Sequence, residues 1–215
     1  MMHRPSRRGT QRFAAAVALV LGVGACSGSV APTAAPIAAQ TAEPAAGCPT
    51  TQPAPLGAGE TRTVEIKTSV GTITLKIDGN LSPIAAGNFV ALASCGYYDG
   101  VVFHRVVPGF VIQGGDPTGT GGGGPGYTIK DEPVTSTYRR GTLAMARTPA
   151  PDSQGSQFFI VLDDAVGPGL AQTNTYAIFG EVTAGMDTVD AIAAAADAEN
   201  PSNPIVMDAV TVANP

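Results

Sequence analysis

Apolar and polar residues alternate through TRTVEIKTSVGTITLKI, residues 61–77, on either side of Ser69-Val70-Gly71. That period predicts a hairpin of two strands. The period then lengthens. SPIAAGNFVALASCG opens with Ser82 placed as an N-cap and Pro83 in the first turn, repeats Ile84, Ala85, Phe89, Leu92 and Ala93 at helical spacing, and stops at Gly96. These signals predict one helix. FHRVVPGFVIQGGD, residues 103–116, reads as two short strands split by Pro108-Gly109, and DPTGTGGGGPGYTI after it as a loop with almost no side chains. GTLAMAR, SQFFIVL, TYAIFGEV and PIVMDAVTV read as further strands. A second helix, AGMDTVDAIAAAA, carries Met186, Val189, Ile192 and Ala193 on one side. Eight or so short strands, two helices and dense Gly/Pro punctuation predict a mainly β fold, a closed β-barrel with helices at its ends.

The first 59 residues follow no such period. MMHRPSRRGTQR is basic, and FAAAVALVLGVGA is an apolar run of 13 residues. A membrane-spanning helix needs roughly 17–25, so the run fits the apolar core of a signal peptide. It ends in VGAC, which resembles the lipobox of bacterial lipoproteins and implies cleavage after residue 25 and a lipid on Cys26. Ordinary secretory cleavage nearby is the alternative. Residues 26–59 are rich in Ala, Pro, Thr and Gly and read as a semi-extended spacer, with the folded domain expected over 60–215. The expected location is therefore outside the cytoplasm, on the outer face of the cytoplasmic membrane.

Charge narrows the class of partner. The net charge is −5, but Arg4, Arg7, Arg8 and Arg12 all precede the first acidic residue, Glu43. Without them, eight basic side chains face seventeen acidic ones, a balance that disfavours nucleic acid. With Cys26 lipidated, Cys48 and Cys95 remain as an even pair, which in an oxidising compartment favours a disulfide pinning the spacer to the domain; two free thiols are the alternative. A metal is not expected, because His104 is the one histidine after the signal segment and there is no CxxC. No cofactor is implied either.

Hydrolytic chemistry finds little support. Ser156 in GSQFF lacks the G-x-S-x-G elbow, and the carboxylate pairs Asp131-Glu132 and Asp163-Asp164 read as solvated loop charges. GTGGGGPG has no following Lys-Ser/Thr and is not a phosphate loop.

FHRVVPGFVIQGGD, GTLAMARTPAPDSQGSQFFIVL and NTYAIFGEV, in this order, resemble the cyclophilin-type peptidyl-prolyl isomerases, from about Thr63 to the C-terminus. The resemblance implies an eight-stranded antiparallel barrel capped by two helices and catalysis of X-Pro rotation in proline-containing peptides and unfolded exported proteins, by a monomer. It assigns Arg105 as the catalytic donor. Phe110, Val111 and Phe159 would hold the proline ring, Gln113 and Gln157 would supply polar contacts, and Ala146 and Arg147 would run beside the peptide. Val111 stands where the family usually has methionine, Arg147 where it commonly has asparagine, and Tyr176 where a histidine is common. The family's nearby tryptophan is missing, the chain having no Trp, and Leu170 is expected to line that wall. His104 should point away from Arg105 and act as a structural hydrogen-bonder. The alternative function is a proline-binding module or chaperone that uses the same groove without turnover.

Overall fold

The alternating segments form β1 (Thr61–Thr68) and β2 (Gly71–Asp78), with Val64, Ile66, Ile73, Leu75 and Ile77 fully buried on one face. The computed structural model describes residues 47–213. Among these the remaining strands are β3 (Arg105–Val107), β4 (Val111–Gly114), β5 (Thr142–Met145), β6 (Phe158–Val161), β7 (Ile178–Ala184) and β8 (Ala209–Ala213). All pair antiparallel in one sheet, ordered β3-β4-β6-β5-β7-β2-β1-β8.

The expected closed barrel is corrected to an open one. β3 and β8 end the sheet and do not pair with each other. A single isolated bridge, Val102 to Val206, joins the segments leading into them. β3 is only three residues long, and the Val106 N–H that faces this gap is taken by the carbonyl of Glu199 at 2.7 Å. A loop thus occupies the ladder position that β8 would need.

The two expected helices are α1 (Pro83–Ser94) and α3 (Met186–Ala195), and a third, α2 (Gly167–Thr173), lies in the stretch whose Gly and Pro content reads as loop. Pro168 suits a first helical turn, and Asn174 closes the helix in the left-handed region, φ 44°. Ser82 is the N-cap of α1 but its side chain makes no capping bond. The carboxylate of Glu132 accepts from the amides of Ile84 and Ala85 instead, at 2.8 and 2.9 Å. A carboxylate facing the positive end of the helix dipole replaces the local cap.

Residues 47–59 contain no strand or helix, yet they are tied to α1. A disulfide joins Cys48 to Cys95, with Cα atoms 5.3 Å apart, and buried Leu56 donates its amide to the Pro83 carbonyl. The expected signal segment, the expected lipid site Cys26 and the first part of the expected spacer, residues 26–46, lie outside the described residues.

Two apolar clusters flank the sheet. Phe89, Phe103, Phe158 and Phe179 anchor the main core. Val111, Ala144, Phe159, Val161, Leu170 and Ile178 form a second cluster on the opposite face. β5 and β6 are buried throughout, which is why LAM and FFIV read as unbroken apolar runs. The second cluster builds the site.

Candidate active site

The strand registers set one transverse row. Arg105 faces Gln113, Gln113 faces Phe159, Phe159 faces Ala144 and Ala144 faces Ile178. Neighbours such as Val106, Ile112 and Phe158 fall in the main core, so alternation turns the row toward the other face. The β3–β4 hairpin that begins the row turns at Gly109, whose φ of +71° suits glycine, while Phe110 donates its amide back to Val107 at 2.9 Å.

The row opens into a cavity of about 200 Å³ lined by Arg105, Phe110, Val111, Gln113, Ala146, Arg147, Phe159, Leu170 and Tyr176. Nine of the ten residues expected to act on substrate therefore meet at one place. The tenth, Gln157, lines an adjoining hollow of about 650 Å³ and shares Gln113 with the smaller cavity, accepting from its Nε2 at 3.0 Å. Phe159 and Tyr176 meet edge to face with centroids 5.5 Å apart, giving the cavity an aromatic floor and wall. Leu170 is positioned by α2, and Tyr176 by the Tyr138 hydroxyl, which donates to its carbonyl at 2.9 Å.

Arg105 is the first residue of β3, with its side chain 34% exposed. Its Nε donates to Glu199 Oε1 at 2.7 Å and its Nη1 to Gln113 Oε1 at 3.4 Å. The rest of the guanidinium fork is free to face the cavity. The lining contains no carboxylate, thiol or imidazole, so its chemistry is hydrogen-bond donation over an apolar floor. Among the described residues no cluster of three or more His, Cys, Asp or Glu side chains could hold a metal.

Arg147 lines the cavity with its guanidinium already committed. It pairs with Asp131 at 2.9 Å and donates to the carbonyls of Ala150, Thr148 and Thr175, with its side chain only 9% exposed. It clamps three loop segments together.

The glycine-rich loop is organised by Asp116, which is fully buried. Its carboxylate accepts from the amides of Thr118, Thr120, Gly121 and Gly123 and from the Thr118 hydroxyl. Burial acts to raise its pKa, but bonds from Gly123, Thr118 and Gly121 outweigh that and hold it below the usual carboxylate value. Gln157 Nε2 donates to the carbonyls of Gly121 and Gly123, both at 2.9 Å, joining the loop to the site.

His104 lies beside Arg105 in sequence but is buried and does not line the cavity. Neither ring nitrogen has a partner at full hydrogen-bond geometry, but the Gln157 side chain and the Val102 backbone lie close enough to favour its protonated form. Burial pulls its pKa below the ordinary imidazole value, against the nearby Asp116 carboxylate. Ser156 is a core tie, donating its hydroxyl to the Gly115 carbonyl at 2.6 Å. Asp131 and Glu132 diverge to Arg147 and the start of α1, while Asp163 accepts from Ala165 and Asp164 from Arg140. None of these groups forms a hydrolytic centre.

Three contributors had no expected role in the sequence. Asp116 in GDPTGTGG could have been found from the turn chemistry of Asp and Thr. Glu132 and Glu199 carried no local signal.

Comparison with known proteins gives the family. A family model described as cyclophilin type peptidyl-prolyl cis-trans isomerase/CLD matches residues 63–212. The probable peptidyl-prolyl cis-trans isomerase A of Mycobacterium leprae is 42% identical over 171 residues, covering 70% of this chain and 91% of that protein. Peptidyl-prolyl cis-trans isomerase B of Bacillus subtilis is 46% identical over 143 residues, covering 64% and 90%. A crystal structure of a cyclophilin type isomerase from Cryptosporidium parvum superposes with a TM-score of 0.65 at 35% identity, covering 73% of this chain and all of that one. A crystal structure of the same parasite protein in the presence of the dipeptide Ala-Pro gives a TM-score of 0.64 at 35% identity, covering 71% and 99%. The family model spans every strand that carries the cavity, and the chain belongs to the cyclophilin-type peptidyl-prolyl cis-trans isomerases.

Proposed function

We propose that this isomerase turns over X-Pro bonds by presenting the Arg105 guanidinium to the prolyl nitrogen while the proline ring sits on Phe159, between Phe110, Val111, Leu170 and Tyr176. The observation that carries the reading is the convergence of one positive fork and an apolar floor on a single cavity. Amide resonance gives the bond a barrier of ~18–20 kcal/mol. As the bond twists, the nitrogen loses delocalisation and its lone pair becomes an acceptor. A preorganised donor stabilises that twisted state more than the planar one, which is the condition for catalysis. An arginine suits the task because it stays charged and its fork is rigid. A barrier lowered by about 5–7 kcal/mol corresponds to roughly 10⁴–10⁵-fold acceleration. Gln113 and Gln157 contribute polar contacts to the peptide, and Ala146 and Arg147 run beside it through their backbones.

The substrates proposed are proline-containing segments of unfolded exported proteins, met by a monomer held at the membrane through lipid on Cys26. The basic and apolar N-terminal segment with VGAC supports export, and the Cys48–Cys95 disulfide suits an oxidising compartment.

The test is cis/trans exchange of a short Ala-Pro peptide, followed by NMR with the wild-type chain and Arg105→Ala. Wild-type acceleration that collapses in a folded, peptide-binding variant supports the arginine role. An equally active variant refutes it.

A further inference from the structure

Glu199 sits 94 residues from Arg105 in sequence, yet its carboxylate accepts the Arg105 Nε hydrogen at 2.7 Å. The contact has a built frame around it. The Glu199 carbonyl accepts from the amide of Val106, the residue next to Arg105, at 2.7 Å, and Phe103 donates its amide to Ile205 at 2.9 Å. The loop is thus laced to the chain on both sides of Arg105. Within it, Asp197 accepts from the Ser202 amide at 2.9 Å, closing the turn that presents Glu199. A surface ion pair between two long, untethered side chains holds little geometry. Here the backbone of each partner is fixed beside the other, so the pair constrains the guanidinium plane with less entropy to oppose it.

We propose that Glu199 is a positioning residue for Arg105, holding the guanidinium from its Nε side so that the remaining Nη hydrogens point into the proline cavity; this rests on the reading of Arg105 as the donor. Gln113 braces the same group from the Nη1 side at 3.4 Å, a longer and weaker contact. The carboxylate is therefore the stronger of the two restraints on the fork. Because the group that gains a partner in the twisted state is the one being held, loss of Glu199 lowers turnover more than it weakens peptide binding.

The experiment measures kcat and KM for the same Ala-Pro peptide with wild type, Glu199→Ala, Glu199→Gln, Arg105→Ala and the double variant Arg105→Ala/Glu199→Ala. Folding of each is checked by its amide NMR spectrum. Glu199→Ala is expected to lower kcat roughly 3- to 10-fold with KM changed less than about 2-fold. Glu199→Gln, which keeps an acceptor oxygen, restores most of the loss. The double variant is no slower than Arg105→Ala, and the Arg105 Nε–H resonance shifts in Glu199→Ala. Wild-type kcat in Glu199→Ala alongside an inactive Arg105→Ala overturns the positioning role and leaves the arginine reading standing. So does a Glu199→Ala loss that persists unchanged in the Arg105→Ala background, because it then acts elsewhere. An active Arg105→Ala refutes the arginine reading itself, a separate and recognisable failure.

Discussion

Gln113 stands between Arg105 and Phe159 in the sheet, opposite the first across the β3–β4 ladder and opposite the second across the β4–β6 ladder. One glutamine thus spaces the charged group from the aromatic floor by one strand on either side, about 5 Å each. Because adjacent strands hold this spacing by backbone hydrogen bonds, the backbone positions that carry the charge and the floor are fixed, and the guanidinium itself is then held by Glu199 and Gln113.

Phe159 is 5% exposed and belongs to both the floor of the cavity and the second apolar cluster. Phe159→Ala is expected to cost about 3–5 kcal/mol in stability, as a buried aromatic truncation does. Phe159→Leu retains more of the packing and isolates the functional effect. In that variant, NMR titration with an Ala-Pro peptide should show weaker binding; unchanged affinity would remove Phe159 from the proline site.

His104 gives a pH dependence whose sign is set by burial. Its folded pKa lies below the ordinary imidazole value, so the unfolded chain takes up a proton first as pH falls. Stability is fully present above about pH 6.5 and declines below it, down to the folded pKa. Thermal melts of the wild type should show this decline, and His104→Phe should flatten it over the same window. A wild-type midpoint that holds constant from pH 7 to 5 counts against the buried neutral imidazole.

The Cys48–Cys95 disulfide joins positions 47 residues apart and binds the extended segment to the end of α1. Replacing both cysteines by serine should lower stability by about 2–4 kcal/mol, measured by urea unfolding. Neither residue lines the cavity, so kcat should stay at the wild-type level. A loss of turnover in the folded variant would show that the segment reaches the site.

If Cys26 carries lipid, full-length chain made in bacterial cells should incorporate labelled fatty acid and fractionate with membranes. Cys26→Ser should do neither. Labelling of the serine variant would place any acyl group elsewhere and remove the proposed anchor.

What the sequence by itself determined was local. Period-two alternation specified the β1–β2 hairpin, and helical spacing specified α1 and α3, because each pattern reflects which side of one element meets the core. The motifs around Arg105, Phe110, Gln113 and Phe159 likewise marked a shared site, since the order of segments identified the family. α2 escaped because its Gly and Pro residues break the usual helical composition, although Pro168 and Asn174 suit its two ends. What only the tertiary structure decided were relations between distant residues. Glu132 caps α1 from 48 residues away, Glu199 reaches Arg105 across 94, and Arg147 spends its charge on Asp131 rather than on a peptide. The opening between β3 and β8 is of the same kind, since the Glu199 carbonyl takes an amide that a closing strand would use. Side-chain spacing along a strand records which face is buried, but a backbone donor carries no sequence mark of its partner, and only the folded path of the chain selects it.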